Sequence, residues 1–215
     1  MTEPLVESAP RPAPAAAPRT AKPPRPTVAT PPLVGRRVRL RTLAEHDRGF
    51  LYELMTSPEA GGRVRFGGAT PSPEKVLASL WDSVLAQFVV ESVESGRPLG
   101  LVAVTSPDFR NGFAYVSALG TPESQGRGLI AEAAFLAFNY AFCTWPLRKL
   151  YMEATDDSFQ QFGSGAGELF EEEGRLREHV FWNGRWVDVV ISAVYRQTWE
   201  RLAAPMMRRL APAGK

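Results

Sequence analysis

An apolar helix near the middle of the chain constrains the fold more than any other feature of the sequence. Between Gly128 and Phe142 the only conventionally polar residues are Glu132 and Asn139. A helix that is apolar on all its sides is packed deep inside a domain rather than laid on its surface. The strand-like segments before and after this helix must therefore supply the surface that covers it.

The strand-like segments are apolar runs or alternating patterns bounded by turn residues such as Asn111-Gly112 and Asn183-Gly184. The short connections between the three strands that precede the apolar helix predict an antiparallel meander. The predicted strands are Arg37–Arg41, Gln87–Ser92, Leu99–Thr105, Phe113–Leu119, Lys149–Ala154, Leu176–Trp182 and Arg185–Tyr195.

Two further helices are predicted between the first and second strands. Thr42 and Glu45 have the spacing of a capping box, and Ser72 followed by Pro73 is typical of a second helix start. A weak helix is predicted over the stretch that contains Gly163, Gly165 and Gly167. The predicted order is β-α-α-β-β-β-α-β-α-β-β, an α/β protein with a mixed, mostly antiparallel sheet.

The two ends of the chain differ in composition from its body. Ten of the 19 prolines lie in residues 1–32, among alanines and few large apolar groups. Such a segment cannot bury enough surface to offset its ordering entropy, so we expect a disordered tail. The predicted domain covers residues 33–202, and residues 203–215 are predicted to form a short basic tail.

Charge and hydropathy exclude several classes of protein. Four of the 25 basic and two of the 23 acidic residues lie in residues 1–32, so the rest of the chain has no formal net charge. This balance argues against nucleic-acid binding. No stretch reaches the ~20 apolar residues of a membrane span, and the beginning of the chain lacks the apolar run of a signal peptide. We expect a cytoplasmic protein.

The sequence offers few metal-binding or disulfide-forming side chains. Cys143 is the one cysteine, and His46 and His179 are the two histidines. An internal disulfide is impossible, and a Cys/His zinc site is not expected. Cys143, at the end of the apolar helix, is predicted to be a small core residue, and His179 to lie on the surface of a late strand.

The stretch Gln125-Gly126-Arg127-Gly128-Leu129 lies between a strand and the apolar helix. Its glycines allow the backbone to direct several N–H groups toward one point, and the helix N-terminus adds partial positive charge. We interpret this loop as a cradle for a pyrophosphate, although a glycine-rich loop that merely begins a helix remains an alternative.

The same stretch resembles the signature of the GCN5-related N-acetyltransferase (GNAT) superfamily, except that Ile130 replaces a small residue. The resemblance covers about residues 33–200 and is strongest to the RimJ/RimL-like branch. Three further stretches, Leu150–Glu153, Glu173–Arg177 and Gly184–Asp188, support that branch by their order and spacing. It implies a sheet splayed open around acetyl-CoA and transfer of an acetyl or short acyl group to an amine.

The resemblance also implies roles for individual residues. Acetyl-CoA, the co-substrate, would contact backbone from Ala118 to Thr121, and the N–H near Leu119 would stabilise the oxyanion. The signature residues Gln125, Gly126, Arg127, Gly128 and Leu129 would bind its pyrophosphate.

Two departures from the family pattern concern proton transfer. Tyr115 stands where an acidic general base is common, and Gly165 stands where a tyrosine often protonates the thiolate. Ser158 is the candidate for contact with the pantetheine and for thiolate protonation. Glu153 is a candidate base, with a surface role as the alternative. Ile130 implies looser helix packing at the loop.

Other interpretations stay open at the level of sequence. The Glu171–Glu173 run reads as a solvated turn, or as an acidic rim that attracts a cationic amine. Gly126–Ala131 with Glu153 also fits a dinucleotide-binding pattern, and a non-catalytic acyl-CoA-binding module is a further alternative. The acceptor amine, a peptide N-terminus or a small molecule, and the state of the chain, monomer or homodimer, are not specified.

Overall fold

The computed structural model describes residues 31–57, 66–67, 69–155 and 167–212. Within these ranges, seven strands form one sheet in the order β1-β2-β3-β4-β5-β7-β6. Their neighbours are antiparallel except for β4 and β5, which are parallel. The strands are β1 (Val38–Arg41), β2 (Val84–Ser92), β3 (Pro98–Asp108), β4 (Phe113–Gly120), β5 (Lys149–Thr155), β6 (Glu171–Trp182) and β7 (Arg185–Tyr195). The mixed, mostly antiparallel sheet confirms the predicted fold class.

Helices cover the two faces of the sheet. On one face lie α1 (Arg48–Thr56) and α2 (Pro73–Ala78), whose apolar side chains form a cluster with Leu101 of β3. On the other face, α3 (Leu129–Thr144) packs into the main core, with ten of its side chains buried. The buried position of α3 confirms the expectation from its sequence. No helix in the described ranges has both the length and the apolar character needed to span a bilayer.

The chain continues past the predicted end of the domain as helix α4 (Arg196–Leu210). Trp199 of α4 is 2% exposed and packs against Phe138, with ring centroids 5.9 Å apart. The Arg196 guanidinium donates hydrogen bonds to three carbonyls at and after the end of α3, where a helix presents partial negative charge. Beyond residue 202, where the domain was predicted to end, Met206 and Met207 of α4 pack partly buried against the main core.

The predicted start of the first helix is wrong. A short 3-10 turn, Glu45–Asp47, precedes α1, and the carboxylate of Asp47 accepts the Ala44 N–H at 2.8 Å. Asp47 is held in place by a two-pronged ion pair with Arg41, 2.7 Å for each hydrogen bond. This tertiary contact, which the capping-box spacing of Thr42 and Glu45 does not reveal, sets where the helix begins.

Two other predictions, for Cys143 and for the Glu171–Glu173 run, are wrong. Cys143 is exposed rather than buried, since it lies on the outer side of the last turn of α3. The Glu171–Glu173 run is not a turn but the first three residues of β6. Of the weak helix predicted over Gly163, Gly165 and Gly167, the first two glycines lie outside the described residues.

Candidate active site

The parallel strands β4 and β5 are paired over only three residues each. Phe113–Tyr115 lie opposite Lys149–Tyr151, and the register ends there. Beyond it, β4 stays paired with β3 as far as Gly120, and β5 stays paired with β7 as far as Thr155. The two strands therefore diverge and leave two facing strand edges, and no strand among the described residues lies between them. This gap corresponds to the splayed sheet that the resemblance to the GNAT superfamily implies.

The ladder determines which backbone amides of β4 face this gap. The Thr121 N–H donates to Leu99 O at 2.9 Å, toward β3. In an antiparallel pair, hydrogen-bonded positions alternate along the strand, so Leu119, opposite Leu101, also points to β3. Ala118 and Gly120 then point into the gap. The register favours these two amides, rather than Leu119, as donors to a ligand.

The loop that follows β4 leads directly into α3. Gly126 and Gly128 have φ angles of +68° and +67°, a left-handed conformation that glycine adopts without strain. Gly128 is the N-cap of α3, so the first N–H groups of the helix are left without helical acceptors. Gln125 and Arg127 are exposed beside them. These donors and the helix dipole suit a pyrophosphate, and they fit the nucleotide end of CoA.

Ile130, in the first turn of α3, packs on glycines of the sheet. A Cβ at Gly120 would lie 2.5 Å from Ile130 Cγ1, and a Cβ at Gly100 would lie 2.9 Å from Ile130 Cδ1. The isoleucine thus fills space that these two glycines leave empty. The expectation of looser packing at this position is wrong, because the large side chain is on the helix, at Ile130, and the sheet positions facing it are glycines.

Two residues near the loop were not identified from the sequence. Arg37, just before β1, donates to the backbone carbonyls of Arg127 and Gly128, at 2.8 and 3.1 Å. Its Nε also bonds to the carboxylate of Glu132, which is buried in α3. The signal in the sequence was Glu132 itself, a lone acid in an otherwise apolar helix turn.

On the α1/α2 face, aromatic and acidic side chains lie where β4 and β5 separate. The rings of Tyr115 and Tyr151, the last residue pair of the register, are 5.2 Å apart. Glu153, two residues further along β5, is exposed and makes no hydrogen bond or ion pair with the residues described. Partial burial, and then the charge of Glu153, raise the pKa of Tyr115 above its ordinary value. A carboxylate and two ring faces therefore border the gap on this side.

A second carboxylate on this face, that of Glu173 in β6, is already saturated. It accepts hydrogen bonds from Lys149 Nζ at 2.6 and 2.8 Å, from the Tyr151 hydroxyl at 2.7 Å, and from the Tyr195 hydroxyl. Burial opposes its ionisation, but these donors outweigh burial and lower the pKa of Glu173 to about 2. Lys149 Nζ also lies 4.4 Å from the centroid of the Tyr151 ring. This face thus holds one alkylammonium group by a carboxylate and an aromatic ring.

The remaining predicted site residues are distributed as follows. Ser158 lies outside the described residues, as does Gly165. The Thr121 side-chain oxygen, just after β4 where contact with CoA was expected, is buried and has no hydrogen-bond partner in the described part of the chain. His179 is exposed on β6, away from the core. Among the described residues no three His, Cys, Asp or Glu side chains gather as a metal site would require.

Comparison with known proteins gives a consistent picture. A family model described as an acetyltransferase (GNAT) domain matches residues 37–158. The spermidine N(1)-acetyltransferase of Escherichia coli (strain K12) is 26% identical over 168 residues, which cover 75% of this chain and 88% of that protein. The corresponding protein of Vibrio cholerae serotype O1 is 29% identical over 114 residues, covering 50% of this chain and 62% of that protein.

Solved structures share the fold. The crystal structure of spermidine N-acetyltransferase from Vibrio cholerae, in complex with CoA and spermine, superposes with a TM-score of 0.63 at 24% identity. The match covers 76% of this chain and 98% of that one. The dinucleotide-binding alternative does not fit, because β4 and β5 are the one parallel pair in the described sheet and a Rossmann unit continues with parallel strands.

Proposed function

The chain belongs to the GNAT acetyltransferase family, and from this premise we propose that the amine it acetylates is a small polycation of the polyamine type. The reaction itself is transfer of an acetyl group from acetyl-CoA to an amine. The acceptor class, the residues that bind each substrate and the route of the proton are the proposed parts.

The residues of the loop and of β4 are proposed to bind acetyl-CoA. The N–H groups at the start of α3 receive the pyrophosphate, and the open edge of β4 receives the amides of the pantetheine as an added strand would. The Ala118 or Gly120 N–H then stabilises the oxyanion that forms when the amine attacks the thioester carbonyl. Direct attack by the bound amine needs no nucleophilic side chain on the enzyme.

The amine is proposed to approach from the α1/α2 face of the sheet, opposite α3. One observation supports this proposal. Glu153 is an exposed carboxylate with no partner among the described residues, beside the rings of Tyr115 and Tyr151 at the point where the strands separate. Ammonium groups are attracted both to carboxylates and to aromatic faces. The relatives named as spermidine acetyltransferases support the same acceptor class.

Glu153 gives the second ammonium of a polyamine a place to bind, or receives the proton of the attacking amine through water. An alkylamine has a pKa near ~10.4 and must lose a proton before it attacks, whereas an α-amino group at ~8 is partly neutral already. A polyamine acceptor therefore depends on Glu153 more than a peptide N-terminus does. Ser158 remains the proposed contact for the pantetheine and the source of a proton for the thiolate.

The second candidate acceptor is a protein N-terminal amine, as the resemblance to the RimJ/RimL-like branch implies. The absence of an acid at position 115 favours it, because a weakly basic amine needs less help with its proton. The relatives reported above do not add support to that branch.

An assay of thiol release from acetyl-CoA measures directly which class of amine the enzyme prefers. Spermidine, spermine, a monoamine and a short peptide with a free α-amino group are compared at equal concentration. We expect kcat/KM for the two polyamines to exceed that for the peptide by about tenfold or more, as a difference of ~1.4 kcal/mol requires. A preference for the peptide would contradict the polyamine proposal, and no release with any amine would favour a non-catalytic acyl-CoA-binding module.

A further inference from the structure

A buried carboxylate in α3 is the starting point for one further inference, which rests on the proposed acetyl-CoA site. Glu132 is 2% exposed, and a buried carboxylate is tolerated only when it is paired and hydrogen-bonded. Its Oε1 accepts the backbone N–H groups of Arg37 and Val38, at 2.8 and 3.3 Å, and its Oε2 accepts Arg37 Nε at 3.0 Å. All these donors come from the segment at the start of β1.

The local sequence makes room for this arrangement. A Cβ at Gly35 would lie 2.4 Å from Glu132 Oε1, so only glycine allows the carboxylate to reach the backbone there. Glu132 also lies in the first turn of α3, where negative charge is favourable to the helix but would repel a bound anion. The Arg37 guanidinium neutralises that charge.

The other donors of the Arg37 guanidinium form hydrogen bonds with the loop. Its two terminal nitrogens donate to the carbonyls of Arg127 and Gly128. In a trans peptide the C=O and the following N–H point in opposite directions. Holding these two carbonyls toward Arg37 therefore turns the N–H groups of Gly128 and Leu129 away from it, outward from the start of α3. These are the donors proposed to bind pyrophosphate.

We infer that Arg37, anchored by Glu132, is a positioning residue that sets the orientation of the peptide units in the CoA pyrophosphate loop. It acts through the loop backbone, by geometry as well as by charge. A guanidinium can serve the carboxylate and both carbonyls at once because its donors form a planar fork, which the single ammonium of lysine does not reproduce.

The neighbouring arginine offers a matched control. Arg36 is exposed and makes no hydrogen bond or ion pair within the described ranges, so Arg36→Gln removes the same charge from nearly the same place. The variants to compare are Arg37→Gln, Arg37→Lys and Arg36→Gln. The pair Arg37→Gln with Glu132→Gln is added because it leaves no unpaired carboxylate in the core and so protects the test against misfolding.

CoA affinity by calorimetry and steady-state kinetics with acetyl-CoA provide the readouts. We expect Arg37→Gln, Arg37→Lys and the paired variant each to raise Kd for CoA and KM for acetyl-CoA by about tenfold, a cost of ~1.4 kcal/mol. The values of kcat and of KM for the amine should stay within about twofold, and Arg36→Gln should change Kd by less than about threefold, because an exposed charge acts weakly through solvent.

Several outcomes would overturn the inference. Equal losses in Arg36→Gln and Arg37→Gln, or full recovery in Arg37→Lys, would assign the effect to charge alone. A fall in kcat with KM unchanged would mean a structural role only, and undiminished CoA affinity in Arg37→Gln and the paired variant would mean no role. If the wild-type protein itself fails to bind CoA, the proposed site falls and this inference falls with it, an outcome distinct from the others.

Discussion

The two sides of the gap between β4 and β5 are built from different material. On the side proposed to bind acetyl-CoA, the donors are backbone amides whose directions depend on two left-handed glycines and the start of α3. On the side proposed to bind the amine, the groups are side chains from β4, β5, β6 and β7, among them Glu153 and Glu173. A site made of backbone tolerates almost no change at its glycines, whereas a site made of side chains can change its ligand one residue at a time.

The largest expected effect tests the backbone side. Gly128→Asp brings a negative charge to the pyrophosphate cradle, and we expect CoA affinity to fall by about a hundredfold or more, ~2.7 kcal/mol. A Cβ at Gly128 would lie 3.4 Å from Arg37 Nη2, an ordinary contact, so the charge and the φ of +67° carry the effect rather than a clash. Calorimetry with CoA is the measurement.

Gly184→Asp is the control for that prediction. Gly184 has a φ of +76° and lies at the β6–β7 turn, and a Cβ there would have no atom of the described residues within 4 Å. Gly184→Asp introduces the same side chain into a similar backbone conformation, at a turn outside the loop that contains Gly128. Undiminished CoA binding in Gly128→Asp, or an equal loss in Gly184→Asp, would show that the cofactor is not bound at this loop.

The next effect concerns the side-chain cluster and acid stability. The pKa of Glu173 is about 2 in the fold and 4.5 ordinarily, so the protein gains stability above pH ~4.5 and loses it as the pH falls toward 2. We expect Glu173→Gln to lower the free energy of unfolding by about 2 kcal/mol at pH 7 and to flatten the loss between pH 5 and 2. Urea unfolding across that range measures both.

Glu172→Gln is the comparison for this cluster, because Glu172 pairs with Arg175 on the exposed side at 3.3 Å. An exposed pair of this kind contributes less than ~1 kcal/mol. Equal pH slopes in the wild type and Glu173→Gln would mean that the Lys149 and tyrosine contacts do not hold the carboxylate ionised.

Backbone geometry was predicted from the sequence better than contacts between side chains, for a physical reason. Alternating apolar residues and the Asn183-Gly184 turn report local geometry, so β7 was predicted with its observed bounds, Arg185–Tyr195. The loop was likewise visible because a left-handed backbone demands glycine at 126 and 128. Without the register with β3, the sequence does not distinguish the Leu119 N–H from those of its neighbours as the oxyanion donor.

The side-chain cluster left no such local trace. The sequence indicates a solvated turn at Glu173, because its partner Lys149 is 24 residues away along the chain and meets it only through the sheet. The start of β6 was missed with it. Helix α4 was not predicted because Pro205 and a polar face hide the contacts of Trp199 with α3. Such pairings depend on tertiary structure, which single-sequence patterns do not contain.

A smaller effect is expected at the amine side. Glu153→Gln should lower kcat/KM for spermidine by about tenfold or less, since one exposed carboxylate contributes on the order of 1 kcal/mol to binding a cation. Glu94→Gln, which removes an exposed charge in the β2–β3 turn, is the control. A loss of a thousandfold with fold and CoA affinity intact would instead assign Glu153 the role of general base, which typically contributes 10²- to 10⁴-fold.

The smallest effect is expected at the chain terminus, which belongs to neither side. We propose that residues 1–32 contribute nothing to the core, and the cut is best placed after residue 30 because Leu33 O accepts the Leu40 N–H at 2.7 Å. Removing residues 1–30 should shift Tm by no more than about two degrees, as for segments without buried apolar groups. A larger drop in calorimetry would mean that this segment docks on the domain.

The packing of Ile130 on the sheet has a consequence for how such a chain can change over generations. A side chain at position 120 would meet both Ile130 and the Ser124 hydroxyl, the latter at 2.4 Å. The three positions share one small volume, so a gain at one requires a loss at another. Alanine at position 120 is therefore disfavoured as a single substitution. It becomes acceptable only after smaller residues have replaced Ile130 in the helix and Ser124 in the loop, so the order of substitutions matters as much as their identity.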